Sequence, residues 1–245
     1  MQKGTLKQIL LITDGCSNKG EDPAAVAAFI AEQSIAVNVI GILEEGAVDA
    51  KGLSEIEEIA ASGQGESQIV YSHHLSQTVQ SVTKKSMTKT LQGVVNQELK
   101  QILGEEKTLE DLPPEERGEI MEVVNDMEET CDVEVLVLVD SSASMTHKLP
   151  TVQEALIDLS VSMNARIGRN RFAIYHFPGK RKVIQKLIDW TGELKSVSQI
   201  FPKLAGGGIT PTGPALKEAL KAFSEPKKRR SMRWNDYEDV EEIGF

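Results

Sequence analysis

Apolar runs of strand length recur along the chain. The three strongest runs lie at residues 7–13, 35–42 and 133–139, and the last of them reads VEVLVLV. Runs of this length that end in polar loops are typical of strands buried on both faces of a parallel sheet. Weaker runs predict three further strands, at 68–71, 171–177 and 182–188.

Helical patterns separate these strands. Pro23, a residue type favoured in the first turn of a helix, begins a segment rich in helix formers. Further helices are predicted at 53–61, 150–166, 196–204 and 214–223. Because strands that alternate with helices pair in parallel through crossover connections, we expect an α/β fold with a doubly wound, mostly parallel sheet.

A long helical segment divides the chain into two parts. Apolar residues recur at helical spacing, without a proline, from residue 73 to residue 103, and a second helix is predicted at 115–129. We expect these two helices to form an inserted hairpin. Their apolar stripe is more typical of core packing or of a dimer seam than of a ligand site.

The pattern therefore predicts four consecutive segments. Residues 5–72 and 131–224 carry α/β patterns, and residues 73–130 form the helical connector. Residues 225–245 are expected to be a disordered tail, because they contain few apolar anchors. The basic run at 227–230 is read as a solvated stretch, since the acidic residues after it can neutralise it.

Charge and composition exclude several classes of protein. The chain has 27 basic and 37 acidic side chains and a net charge of −10, which argues against a nucleic-acid-binding protein, since such proteins need a basic face. Aromatic residues make up only 4%, which favours an aliphatic core and a layered α/β fold. Cys16 and Cys131 are too few for a disulfide framework. With no signal-peptide pattern and no apolar run of membrane-spanning length, we expect a cytoplasmic protein without membrane contact.

Side chains with oxygen atoms that can bind a metal lie at three places, each after a predicted strand or at the start of a predicted helix. Asp140, Ser142 and Ser144 come after the run VEVLVLV, Asp14 follows the first strand, and Thr210 follows a glycine-rich loop. Since ligands bind at the carboxyl edge of parallel sheets, we expect these side chains to approach one another. Two carboxylates and three hydroxyls, without His or Cys, are the ligand chemistry of Mg²⁺ or Mn²⁺. The structural alternative is that Asp140 and its serines cap the helix that follows.

These residues resemble the metal-ion-dependent adhesion site of the von Willebrand factor A (VWA) domains. The site of that family combines a DxSxS motif, a threonine after a glycine-rich turn, and an aspartate in a strand that ends in T-D-G. Residues 140–144 read DSSAS, Thr210 lies in GGGITPTG, and Asp14 lies in LLITDG. The resemblance covers residues 5–72 and 131–224, and it implies a Rossmann-like fold.

The resemblance also implies a divalent cation as cofactor and a role for each residue. Ser142, Ser144 and Thr210 would contact Mg²⁺ or Mn²⁺ directly, whereas Asp140 and Asp14 would act largely through water. No anionic side chain then fully quenches the cation, which stays electrophilic toward a carboxylate of a partner protein. The implied function is that of a metal-dependent protein-binding module that is not an enzyme.

The order of the motifs departs from that of the family. In VWA domains the DxSxS motif comes first and the T-D-G aspartate comes last, whereas Asp14 is the first of the site residues in this chain. The chain therefore resembles a circularly permuted VWA domain, whose sheet has the strand order 3-2-1-4-5-6. Each half alone would expose an apolar central strand, so we expect the halves to pair, either within one chain or between two chains as a domain-swapped homodimer.

Two other functions fit the sequence. An aspartate at the end of a parallel strand can serve as a nucleophile or magnesium ligand in a metal-dependent phosphotransferase or hydrolase. The serine at position 142, where a second acid would favour that chemistry, weighs against it. The other alternative is an assembly protein whose working surface is the hairpin at 73–130.

Overall fold

The structure is a computed structural model of the chain. It describes residues 4–15, 17–43, 50–71, 74–103, 108–194 and 209–224. The helix predicted at 196–204, the tail at 225–245 and Cys16 lie outside the described residues.

Six strands among the described residues form one sheet. They are β1 (Thr5–Thr13), β2 (Ile35–Leu43), β3 (Gln64–Tyr71), β4 (Asp132–Asp140), β5 (Asn170–Phe177) and β6 (Gln185–Thr191). Their spatial order is β3-β2-β1-β4-β5-β6, and neighbours are parallel except that β6 runs antiparallel to β5. The doubly wound, mostly parallel α/β sheet expected from the sequence is confirmed.

Helices cover both faces of this sheet. They are α1 (Pro23–Ala31), α2 (Ala50–Ser62), α3 (Leu75–Leu103), α4 (Pro114–Thr130), α5 (Leu149–Asn164) and α6 (Thr212–Ala222). Helices α1, α2 and α6 pack on one face, and α3 and α5 pack on the other. Alternate residues of a strand point to opposite faces, so Leu10 and Ile12 join the core under α3 and α5, while Ile9 and Leu11 join the core under α1.

The pair of strands β1 and β4 forms the centre of the sheet and joins the two α/β segments within one chain. The strands are parallel, and Ile12 lies opposite Val139, with both side chains fully buried. Strand β1 ends at Thr13 and β4 ends at Asp140, so the two strand ends lie side by side at one edge of the sheet. The circular permutation itself stays a prediction.

Helix α3 has a buried half and an exposed half. The part of the helix up to Leu91 contributes the core residues, namely Leu75, Val79, Val82, Met87 and Leu91. Beyond them Val94 and Ile102 are exposed, and α4 lies alongside, with Gln92 Nε2 3.5 Å from Met121 Sδ. No described helix, α3 included, is both long and apolar enough to span a bilayer. The division into four segments, with a separate hairpin at 73–130, stays a prediction.

Two strands differ from the sequence prediction: β3 begins at Gln64, four residues before the predicted strand at 68–71, and β6 is displaced along the chain. The apolar pattern predicts a strand at 182–188, whereas β6 spans Gln185–Thr191. The residues before β6 form the turn after β5, which the N–H of Gly179 closes by donating to the carbonyl of Val183 at 3.0 Å. Val183 and Ile184 are apolar because they pack against the core from this turn, and not because they belong to the strand.

Candidate metal site

The side chain of Asp140 organises the turn that follows β4. Asp140 is fully buried, and its Oδ1 accepts a hydrogen bond from the N–H of Ser142 at 2.8 Å. Its Oδ2 accepts a second hydrogen bond from Thr13 Oγ1, also at 2.8 Å, across the junction of β4 and β1. Helix α5 begins at Leu149 without a side-chain cap, so Asp140 caps its own turn and does not cap that helix.

The two serines of the DSSAS segment connect this turn to Asp14. Ser142 Oγ lies 3.1 Å from Ser144 Oγ, and Ser144 Oγ donates to Asp14 Oδ1 at 2.9 Å. Asp14 can reach Ser144 because β1 and β4 are parallel neighbours with their ends at the same edge. The structure therefore places Asp140, Ser142, Ser144 and Asp14 in one connected set, contributed by both α/β segments of the chain.

Thr210 lies at the same edge but is held differently. Its N–H donates to Asn18 Oδ1 at 2.9 Å, and its carbonyl accepts from the N–H of Asn18 at 3.1 Å and from Ser17 Oγ at 3.3 Å. The Thr210 backbone is thus fixed to the segment that follows Asp14. Thr210 is buried, and among the contacts of the described residues its fixed partners are on that segment and not on the serines.

The segment after Asp14 has its own anchor on α2. The N–H of Ser17 donates to Glu55 Oε1 at 2.7 Å. Burial raises the pKa of Glu55, although the Ser17 N–H and the charge of Lys51 act in the opposite direction. Glu55 therefore orders the loop that carries the Thr210 contacts.

Burial dominates the electrostatics of Asp140. It raises the pKa of the carboxyl, while the N–H of Ser142 and the hydroxyl of Thr13 oppose that rise and the nearby charge of Asp14 adds to it. A buried carboxylate is stable only when hydrogen bonds or a cation compensate its charge. The strand junction is therefore a place where a positive charge lowers the free energy of the folded protein.

Two further side chains belong to this site that no sequence motif indicates. Thr13 donates to Asp140, and Lys148 Nζ lies 2.5 Å from Asp14 Oδ2, with the two side chains only 7% and 2% exposed. Thr13 precedes Asp14 in the T-D-G segment, but no sequence pattern indicates that its hydroxyl contacts Asp140. The one available signal for Lys148 is its place at the start of α5, where the helix dipole disfavours a cation.

The donor set fits a hard divalent cation. It consists of two carboxylates with hydroxyls between them, which is oxygen chemistry of the kind that Mg²⁺ and Mn²⁺ bind. Within the described residues, no group of three or more His, Cys, Asp or Glu side chains is placed to hold a metal ion. A metal at this edge would therefore depend on the serine and threonine hydroxyls as well as on the carboxylates.

A Ser–His contact lies beside the site but is buried. Ser141 Oγ lies 2.8 Å from His176 Nδ1 and 3.0 Å from the carbonyl of Phe177, which it can reach as a donor. Ser141 is fully buried and His176 is 4% exposed, so the pair fixes the ends of β4 and β5 against each other. Burial lowers the pKa of His176, and the charge of Lys180 lowers it further, against the hydrogen bond to Gln185.

The family model described as "von Willebrand factor type A domain" matches residues 134–238. With this match, and with the relative described next, the chain belongs to the VWA family, whose members are often metal-dependent protein-interaction modules.

Two similar proteins come from bacteria, and the matches cover nearly the whole of each chain. The chain is 59% identical over 245 residues, and over 100% of both chains, to "Uncharacterized protein YabS" of Bacillus subtilis (strain 168). A crystal structure of an uncharacterized protein from Alicyclobacillus acidocaldarius is 40% identical, with a TM-score of 0.81 over 90% of this chain and 94% of that one.

A more distant structure is that of proximal thread matrix protein 1 from the mussel byssus with a zinc-occupied MIDAS motif. It is 17% identical with a TM-score of 0.30, over 92% of this chain and 48% of that one. At this TM-score the likeness carries no argument about the chain.

Proposed function

We propose that this chain is a protein-binding module that captures an acidic residue of a partner protein through a divalent cation, Mg²⁺ or Mn²⁺. The cation site consists of Asp140, Ser142, Ser144, Thr210 and Asp14. The observation that carries the proposal is the connected set from Asp140 through the two serines to Asp14, which the β1–β4 junction assembles from two distant parts of the chain.

The hydrogen bonds of Asp140 support the roles implied by the family resemblance. Both of its carboxylate oxygens already accept hydrogen bonds, from Ser142 and from Thr13. Asp140 is therefore suited to acting on a cation through water, while the hydroxyls of Ser142 and Ser144 supply neutral ligands. A cation held mainly by neutral ligands keeps its Lewis acidity, and a carboxylate of a partner is the natural ligand to complete its coordination.

Two observations favour binding over catalysis. Ser141 and His176 form a buried pair that a substrate cannot reach. Position 142 is a serine whose hydroxyl contacts Ser144, so no second acid accompanies Asp140 in the DSSAS turn. The phosphotransferase or hydrolase alternative predicts turnover of simple phosphoesters that disappears in Asp140→Asn, and we expect no such turnover.

Calorimetric titration of chelator-stripped protein with Mn²⁺ and Mg²⁺ tests the site. Wild type is expected to bind one cation, and Asp14→Ala and Asp140→Ala are each expected to lose saturable binding. Asp158→Ala, which removes an exposed carboxylate of α5, is the control and should bind as wild type does. Unchanged binding in Asp140→Ala would contradict the proposed site.

The partner's carboxylate can be imitated with acetate. Water-proton relaxation of the Mn²⁺-loaded protein reports the water molecules bound to the cation. If a coordination position is open to a carboxylate, acetate displaces water there and lowers the relaxation enhancement, whereas equal chloride does not. Equal responses to the two salts would contradict carboxylate capture while leaving cation binding intact.

We further propose that the motif order reflects a circular permutation whose halves pair within one chain. The contact of Ser144 with Asp14, 130 residues apart, and the β1–β4 pairing support this arrangement. Light scattering distinguishes it from a swapped homodimer, since pairing within one chain predicts a mass near 26.8 kDa when no other surface associates. A dimer that dissociates only on unfolding would favour the swap.

A second candidate function is assembly through the exposed part of α3 and α4. Apolar side chains are exposed there, among them Ile102 at 74%, Val123 at 55% and Met127 at 37%. Val123 and Met127 lie one turn apart on the same face of α4, and exposed apolar side chains that lie together mark interaction surfaces. If this surface is the working one, Val123→Glu with Met127→Glu abolishes association while Asp140→Ala does not, and the proposed metal-dependent function predicts the reverse.

A further inference from the structure

Lys148 is a buried cation directly beside the candidate metal site. It lies immediately before α5, where its backbone N–H donates to the carbonyl of Met145 at 2.8 Å and its carbonyl accepts from Val152 at 3.0 Å. The Lys148 side chain is 7% exposed, and its Nζ lies 2.5 Å from Asp14 Oδ2. Lysine is almost never buried without a partner, so this ion pair accounts for its position.

The place of Lys148 is unfavourable by local rules. A cation at the start of a helix opposes the positive end of the helix dipole, and burial adds the cost of removing an ammonium from water. Side chains that break local rules commonly serve a site. Here the compensation comes from Asp14, whose other oxygen, Oδ1, accepts the hydrogen bond from Ser144.

We propose that Lys148 is a built-in counter-cation that sets the affinity of the site for divalent ions. In the metal-free protein its ammonium balances Asp14 and keeps Asp14 hydrogen-bonded to Ser144. A divalent ion that binds at the serines competes with this ammonium for Asp14 and displaces it. The inference rests on the proposed cation site and adds to it the residue that makes binding an exchange of one positive charge for another.

The charges of the site give the direction of the effect. Asp14 and Asp140 carry two negative charges, and Lys148 reduces this to one. A lysine held against Asp14 therefore repels a divalent ion drawn to the same carboxylate, and at low dielectric such repulsion is not screened away. Removing the ammonium should strengthen Mn²⁺ binding about tenfold or more.

The same charges predict an opposite effect on the metal-free protein. Without Lys148, Asp14 is left as a buried carboxylate that has lost its cation, which destabilises the fold. A bound divalent ion restores the missing positive charge. The thermal midpoint in chelator should therefore fall in Lys148→Met, and the rise in midpoint on adding Mn²⁺ should be larger in Lys148→Met than in wild type.

Calorimetry and thermal unfolding of the full chain, with Mn²⁺ as the probe, test the proposal. Lys148→Met and Lys148→Gln remove the charge, and the glutamine keeps an N–H donor for Asp14 in case the methionine variant does not fold. Lys148→Arg keeps the charge and should bind Mn²⁺ as wild type does. Lys217→Met removes a lysine whose ion pair with Glu21 is exposed, and it should leave the affinity unchanged.

The outcomes separate this inference from the proposed function. Tighter Mn²⁺ binding in both neutral variants, with wild-type affinity in Lys148→Arg and Lys217→Met, supports the counter-cation role. If wild type binds Mn²⁺ and the folded neutral variants bind it no more tightly, the inference is wrong and the cation site stands. If wild type and all variants show no saturable binding, the proposed cation site is wrong and the inference with it.

Discussion

Replacing Thr13 by valine should destabilise the metal-free protein, because it removes the hydroxyl that supports Asp140 from the neighbouring strand. Thr13 is 2% exposed and its Oγ1 lies 2.8 Å from Oδ2 of the fully buried Asp140. Valine has nearly the same shape as threonine, so no cavity is left and the change removes only the hydroxyl, whose other contacts are two long ones, of 3.4 Å each, to the backbone of Gly15. Water cannot readily replace the lost donor at such a buried position.

The expected loss follows from the type of bond. A hydrogen bond to a charged group contributes about 1.5–3 kcal/mol, and a buried carboxylate left short of a donor keeps its full desolvation cost. We therefore expect Thr13→Val to lower the free energy of unfolding by about 1.5–3 kcal/mol at pH 7. For a chain of this size, that is a fall in the thermal midpoint of roughly 3–12 °C.

Urea titration in chelator, followed by circular dichroism, measures this loss, and Thr13→Ser is the matched control. The serine keeps the hydroxyl and loses only a methyl group, so it should lose about 1 kcal/mol or less. The difference between the two variants should shrink as the pH falls and Asp140, whose pKa burial raises, becomes protonated. A valine variant within about 0.5 kcal/mol of wild type would refute the reasoning, because it would mean that the bond does not support Asp140.

Three further variants test the fold. Burial lowers the pKa of His176, so near pH 6.5 the unfolded chain takes up a proton that the folded chain does not. The free energy of unfolding should therefore fall as the pH drops below about 6.5. This fall should be smaller in His176→Asn, which lacks the titrating ring. Urea midpoints at pH 7.5 and 5.5 measure this, and equal pH dependence in both proteins would contradict it. A methyl group at Gly93, in the interior of α3, meets no atom within 4 Å apart from its chain neighbours and the nearby backbone of its own helix, so Gly93→Ala should stabilise the protein by about 0.5–1 kcal/mol. A Cβ at Gly213 would lie 2.1 Å from the carbonyl oxygen of Glu21, so Gly213→Ala should lower the thermal midpoint, and similar midpoints for the two alanine variants would contradict the packing argument.

The fold could be predicted largely because its strands are buried on both faces. The runs that became β1, β2 and β4 are dominated by apolar residues, with four in succession at 9–12 of β1, and such runs occur where helices cover both sides of a sheet. The prediction for β6 was displaced because Val183 and Ile184 are apolar in a turn that packs on the core. Local pattern cannot distinguish an apolar turn from an apolar strand.

The candidate site could also be predicted in part. The DSSAS segment, Asp14 and Thr210 could be singled out because each stands in a short local motif whose residue types match oxygen-ligand chemistry. The motif does not show whether the carboxylate of Asp140 caps the helix after β4 or accepts a hydrogen bond within its own turn. The structure decided it, since Asp140 receives the N–H of Ser142 and α5 begins nine residues later, at Leu149.

Thr13 and Lys148 show what local sequence leaves open. Thr13 meets Asp140 over a separation of 127 residues, and Lys148 meets Asp14 over 134. These contacts depend on the parallel register of β1 against β4, which places two strand ends at one edge, and on the packing of α5, which directs Lys148 toward that edge. Residue types and their spacing indicate the ligand chemistry, whereas the charge balance of the site depends on which distant side chains the sheet brings within hydrogen-bonding distance.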